Sequence, residues 1–399
     1  MSPEKNPKKS FTLLLSISSL TKIADLLISP KTTLPYILSA NGAPAWLISM
    51  LVPVKESGSL IPQWLLKSRV AQRFNNRSAL WRIGAVMQGL GSLLLVLTIA
   101  MLDNLPMAIG VMTLLIAMAG GRAICSLKMK DIQAETVDKG YRGKLIGLAS
   151  SLSGGITLFS AFVFVLSKQP LTQQISYSLI IVGGVMFILS LLLSIPLNVA
   201  YESDNGTHSQ LSLIGLIRLE SNLRHIIVSR ILLLHSALVV PFIVANAATD
   251  SNPSSSLPYF VGLSALASLV SSYIWGIFSD KGSLTTLRVA NLICFVAMLI
   301  VGLEIESIPS YSGLVLFFIL TLGHAGIRTG RKTYLLDITD RSTRTGYVAA
   351  GNSCVGIGLL ILGALYAYAY SIIGTQIVLM MAVIMVIGVL HSYKLERVR

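Results

Sequence analysis

Among the ionisable side chains inside stretches of sequence that are otherwise apolar, seven stand out: Lys22, Asp25, Lys55, Glu56, Arg122, His324 and Arg328. A carboxylate in such a setting can carry a proton, because burial raises its pKa while a neighbouring base lowers it. An unpaired cation there wants a counter-charge. Asp25 and Glu56 are therefore candidate proton carriers. Lys22, Lys55, Arg122, His324 and Arg328 are candidate contacts for an anionic or zwitterionic solute. The spacing is helical, since Ser18, Lys22, Asp25, Ser29, Thr32 and Tyr36 follow one another at steps of four and three on one helical face. Lys55 and Glu56 are adjacent and project about 100° apart, so they cannot easily satisfy each other and at least one should look to another helix. Ser59 and Gln63 continue the face of Glu56. The competing reading makes Lys22 with Asp25, and Lys55 with Glu56, ion pairs that only fix helix packing. Lys31, nearer the outer end, is assigned to snorkelling. Arg230 and His235 carry the same signal more weakly.

Other chemistry finds no foothold. The sequence holds no G-x-x-x-x-G-K-[ST] phosphate loop, no H-E-x-x-H and no G-x-S-x-G. The five histidines are scattered, so no metal cluster is read, and no cofactor is called for. Cys125, Cys294 and Cys354 fall in apolar stretches and read as small buried hydrophobes.

Composition says what must position these charges. Of 399 residues, 53% are apolar and only 12% charged, and mean hydropathy is +0.74. A soluble domain carries about 25% charged residues, so a soluble enzyme, a nucleic-acid-binding domain and a disulfide-stapled secreted protein are excluded. A membrane-crossing helix needs about 20 apolar residues. Apolar runs bounded by charge, Gly and Pro place twelve at 12–38, 44–66, 79–102, 106–127, 145–167, 175–197, 226–248, 257–279, 288–306, 311–333, 346–370 and 372–392. The net charge of +14 is strongly one-sided. Every Lys or Arg except Lys22, Lys31, Lys55 and Lys168 falls in the termini or in alternate loops and their helix ends, which puts both termini in the cytoplasm. The expected location is the plasma (inner) membrane. No cleavable signal is read at the start. Counted at 1.5 Å per residue, Arg122 lies roughly 24 Å and His324 roughly 20 Å from the outer ends. Trp64, Trp81 and Trp275 at one boundary and Trp46 at the other read as an aromatic belt. Gly143/Gly147 and Gly326/Gly330 have the spacing of close helix packing.

The chain repeats itself. Lys130-x4-Glu135-x6-Arg142 follows the fourth span, and Lys332-x4-Asp337-x6-Arg344 follows the tenth. Ser68 to Arg77, with Gln72, Arg73 and Asn75, follows the second span, and Gly276-x3-Asp280-Lys281-Gly282 follows the eighth. The expected division is a six-helix half over 1–197, a linker with an amphipathic segment over 198–224, and a second half over 225–399. Parallel repeats around a central site are a transporter architecture.

The loop motif of Gly, three residues, Asp, a base and Gly between spans 2 and 3 and again between 8 and 9 resembles that of the major facilitator superfamily. The acid-x6-Arg elements after spans 4 and 10 resemble the same superfamily. The C-terminal loop copy is the cleaner, with Gly276, Asp280 and Lys281 in place, whereas Ser68, Gln72 and Asn75 replace the Gly, Asp and second Gly of the other, where Arg73 and Arg77 remain. The resemblance implies an all-α integral membrane fold, twelve transmembrane helices in two six-helix repeats, with spans 1, 4, 7 and 10 lining a cavity. It implies gating roles for Arg73, Arg77, Asp280, Lys281, Glu135, Arg142, Asp337 and Arg344.

The sequence therefore reads as a secondary transporter of a small organic solute, not an enzyme. Its partners are that solute, the bilayer and, in the coupled reading, protons. No nucleic acid is expected, and the chain reads as a monomer. An uncoupled facilitator or exchanger, and a non-transporting sensor or assembly protein on the same fold, stay open.

Overall fold

The computed structural model describes residues 7–62, 77–137, 141–166, 173–197, 215, 217, 218, 220–247, 256–304, 310–339 and 341–395. Among the described residues helices account for twelve crossings. Eleven of these are long and apolar enough to span a membrane. The remaining crossing is Ala45–Leu60, 16 residues that include Lys55 and Glu56. Spans 3 to 6 are Arg77–Met101, Asn104–Thr136, Arg142–Leu166 and Gln173–Leu193. Spans 8 to 12 are Ser256–Lys281, Ser283–Glu304, Ser310–Ile338, Arg341–Ile373 and Ile377–His391. Their outward faces carry apolar stripes at helical spacing, such as Leu90, Leu94 and Leu97, or Ile357, Ile361 and Leu365, all exposed. In a membrane these stripes face lipid.

The first span is not the single helix expected over 12–38. It runs as Pro7–Leu27 and Thr33–Ala40 with an interruption between. Pro30 has no N–H to donate, and its ring clashes with the preceding turn. Ser29 Oγ accepts the backbone N–H of Lys31 at 3.2 Å. The seventh span is interrupted too, into Ser221–Leu232, His235–Leu238 and Val240–Ala247, with Pro241 in the last piece. Carbonyls freed at such breaks need partners. Lys55 Nζ donates to Ile28 O at 3.3 Å, and His235 Nδ1 to Leu232 O at 2.8 Å. The outer pieces of spans 1 and 7 pack on each other, and Ser39 Oγ donates to Ala245 O at 3.0 Å. That joins spans 1 and 7 through their outer pieces.

Packing follows a repeat. Span 3 packs on 4 and 6, and span 9 on 10 and 12. Spans 1 with 5 and 6 match 7 with 11 and 12, and 2 with 4 matches 8 with 10. Between the two sets, 2 packs on 11 and 5 on 8. The side-chain clasps repeat as well. Arg82 Nη2 donates to the carbonyls of Ser194, Ile195 and Leu197 at 2.9, 2.8 and 2.7 Å, just past the end of span 6. In the second set Arg288 Nη2 donates to Ser392 O, and its Nε to Ser392 Oγ, both at 3.0 Å, just past the end of span 12. A cation on helix-terminal carbonyls is favoured by the helix dipole. Arg82→Gln should cost about 2 kcal/mol through lost charge-assisted bonds, measured by thermal unfolding of the purified protein. An unchanged melting temperature would count against the clasp.

Two expectations change. Trp81 and Trp275 are 2% and 3% exposed, so they are core residues and not belt residues. Trp275 Nε1 donates to Leu322 O at 2.8 Å. Trp46 is exposed as expected, and Trp64 lies outside the described residues. A Cβ on Gly326 would meet Trp275 and Ala290, and one on Gly330 would meet span 9 backbone. Gly147 has open space around it. The first pair packs closely; Gly147 does not.

Candidate functional site

A cavity of about 230 Å³ lies between spans 1, 2, 4, 8 and 10. It gathers Asp25, Lys55, Glu56, Arg122, His324 and Arg328 from four helices. The connections run between helices and not along them. Arg122 Nη1 on span 4 donates to Asp25 Oδ2 on span 1. Lys55 Nζ on span 2 stands 3.8 Å from Asp25 Oδ1. One carboxylate thus holds two cations, and their side chains are only partly reached by solvent, 21% for Asp25, 39% for Arg122 and 11% for Lys55. Neither pairing within a helix is formed. Lys22 Nζ turns to span 5, donating to Ser150 Oγ and to Ile146 O, the latter at 3.2 Å. Lys55 goes to Asp25 and Ile28 O, while Glu56 makes no direct ion pair among the described residues and its field reaches Lys31, Lys55, Arg122, Arg328 and Arg331.

Lys22 therefore sits outside this cavity. It lines a second one of about 280 Å³ within spans 1, 3, 4, 5 and 6, together with Lys130, Gln88 and Gln133. Asp25 and Arg122 line both, so their ion pair forms part of the wall between the two. His324 Nδ1 lies 3.0 Å from Ser236 Oγ on the seventh span. The interruption at 28–32 also divides the polar face expected on span 1. Thr32 and Tyr36 are buried in the outer piece, away from Lys22 and Asp25 in the inner one.

Some cavity residues escaped the sequence reading. Lys31, assigned there to the outer boundary, lines the cavity instead. Depth counted along a continuous helix fails where the helix is broken. Ser264, Ser268 and Ser271 form a hydroxyl face on span 8, and their steps of four and three were visible. Arg331 extends the face of His324 and Arg328 by three residues. Arg230, two residues before the break in span 7, is buried and donates from Nη2 to Asn352 Oδ1 at 2.6 Å. Asp25 holds the matching place before the break in span 1.

The end that carries the termini is less fully described. Arg73 lies outside the described residues, as do the side chains of Arg77, Arg142 and Arg344. Glu135, Asp280 and Lys281 are exposed. The carboxylate that reaches the start of span 9 is Asp337, which accepts from Ser283 Oγ at 2.8 Å.

The fold as a whole superposes on solved structures of transporters. A D-xylose–proton symporter superposes with a TM-score of 0.73 at 12% identity, over 98% of each chain. The nucleoside transporter NupG gives 0.72 at 11% identity, over 98% of this chain and 100% of that one. The chain shares their fold. The inward-open xylose transporter XylE from E. coli gives 0.70 at 13% identity, over 97% of this chain and 96% of that one. No protein-family model and no curated protein matches the sequence. At such identities the likeness establishes the fold, the all-helical form that the loop-motif resemblance implies.

Proposed function

We propose that the protein is a secondary transporter that moves a small organic anion or zwitterion by alternating access, with protons as the coupling ion. The observation that carries this reading is the cavity's charge. Among the described residues, Lys31, Lys55, Arg122 and Arg328 line it against Asp25 and Glu56, and Asp25 is already shared by Arg122 and Lys55. Cations buried without enough counter-charge favour an anion that supplies it. Solved structures of this fold include a proton symporter and a nucleoside transporter, which supports transport over sensing.

In this reading residues 1–197 and 225–399 are the two moving halves, joined by 198–224. Both termini lie in the cytoplasm of the plasma (inner) membrane, so the end where Ser39 joins Ala245 faces outward. The side chains at the terminal end, Arg73, Arg77, Glu135, Arg142, Asp280, Lys281, Asp337 and Arg344, act as gating contacts. Arg122 and Asp25 exchange partners as the anion binds, and Asp25 or Glu56 takes the proton. His324, fixed by Ser236, orients toward the solute. Lys22 assists from the second cavity.

The test is uptake and counterflow in proteoliposomes with an anion panel. A charge-assisted contact is worth about 1.5–3 kcal/mol, so Arg328→Gln should weaken anion affinity about 10- to 100-fold. A protein that shows no counterflow of any anion would overturn the transport reading.

A further inference from the structure

We infer that the central cavity is built for a solute carrying two negative charges, a dicarboxylate or a phosphate monoester, in preference to a monoanion. The inference rests on the anion-transport reading and narrows it. Among the described residues, the charged groups lining the cavity are four cations, Lys31, Lys55, Arg122 and Arg328, and two carboxylates, Asp25 and Glu56. With the His324 imidazole neutral, the formal excess is two positive charges.

The excess divides between two sets of lining groups. In one, Asp25 lies between Arg122 and Lys55, leaving that trio one positive charge over. The other, Lys31, Arg328 and Glu56, again carries one charge over. A solute with two anionic groups joined by a short spacer can answer both sets at once. A monoanion leaves one set uncompensated, and a third anionic group finds no cation of its own. The remaining lining groups are mostly small or hydroxylic, including Ser29, Ser59, Ser268 and Thr321. They suit a compact polar body between the two charged ends. Beyond the cavity Lys22 and Lys130 both lie near enough to act on Lys332, so this neighbourhood is basic as well, which raises the local concentration of polyanions.

The charge count makes the inference testable by changing it. Full-length protein in detergent is titrated at pH 7.5 with butyrate, succinate, tricarballylate, glycerol phosphate and, as a neutral control, glycerol, and Kd is read by calorimetry and thermal shift. Wild type should bind succinate or glycerol phosphate at least tenfold more tightly than butyrate, with tricarballylate no better. Arg328→Gln should bring the dianion-to-monoanion ratio close to one. Glu56→Gln should move the preference toward tricarballylate by tenfold or more. Lys31→Gln removes the same charge as Arg328→Gln and repeats the test if that variant does not fold. Tightest binding of butyrate, or a charge order identical in all variants, would overturn the inference while leaving anion transport standing. Binding of glycerol alone would overturn both.

Discussion

Asp25→Asn should abolish proton-driven accumulation and lower the stability of the purified protein by about 2–3 kcal/mol, and adding Arg122→Gln should return most of the stability but none of the accumulation. Asp25 is the shared counter-charge of Arg122 and Lys55, on three different helices. Removing one partner of a buried pair typically costs about 3–5 kcal/mol, because a charge is left uncompensated. Arg122 is 39% exposed to the cavity, and that water takes up part of the loss. Glu56→Gln should behave differently. Among the described residues Glu56 makes no direct ion pair, so its loss should leave folded yield near wild type and show in transport alone. Folded yield, thermal unfolding, solute exchange and pH-driven uptake are compared across the variants. If both single variants fold normally and keep full pH-driven uptake, neither carboxylate couples protons. If the double variant stays as unstable as Asp25→Asn, the ion pair is not what holds these helices.

A single methyl group should have an effect as large. Gly330→Ala is expected to destabilise by about 3 kcal/mol, while Gly147→Ala should be neutral or slightly stabilising. The added carbon at 330 would stand 2.8 Å from Leu287 N and 2.8 Å from Ser283 O. Both are backbone atoms of span 9, so spans 9 and 10 must separate to admit it. At 147 nothing lies within 4 Å, and the exchange gains only the helix preference of Ala over Gly. Thermal unfolding of the two variants side by side decides it. Equal melting temperatures would mean that spans 9 and 10 are looser than their spacing here.

The sequence made those two glycine pairs look alike. Small residues four apart are a necessary condition for close packing, but the partner helix that makes them count lies far along the chain. The same limit governs the charges. Hydropathy and helical spacing marked Asp25, Lys55, Glu56, Arg122, His324 and Arg328, and the structure brings all of them to one cavity. Which base answers which acid was not legible, because Asp25 reaches spans 2 and 4 in preference to its own helix neighbour Lys22. Trp81 and Trp275 sit near an apolar boundary in sequence yet face the core, and a hydropathy window carries no sense of direction. Pro30 was in view, but the apolar run on both sides of it masked the interruption. Lys31 was misplaced for that reason.

The interruptions in spans 1 and 7 also decide where the molecule bends. A continuous helix carries bending moment along its whole length, because each turn is tied to the next by hydrogen bonds. At the two breaks that ladder is cut, leaving Thr33–Ala40 and Val240–Ala247, eight residues each, as short stiff plates on turns. The work of parting the far end then falls on the contact between two plates and the Ser39–Ala245 bond, and not on tilting complete six-helix halves. Plates that swing on their own can stay shut while the opposite mouth also closes, so a state sealed at both ends is mechanically within reach of this chain.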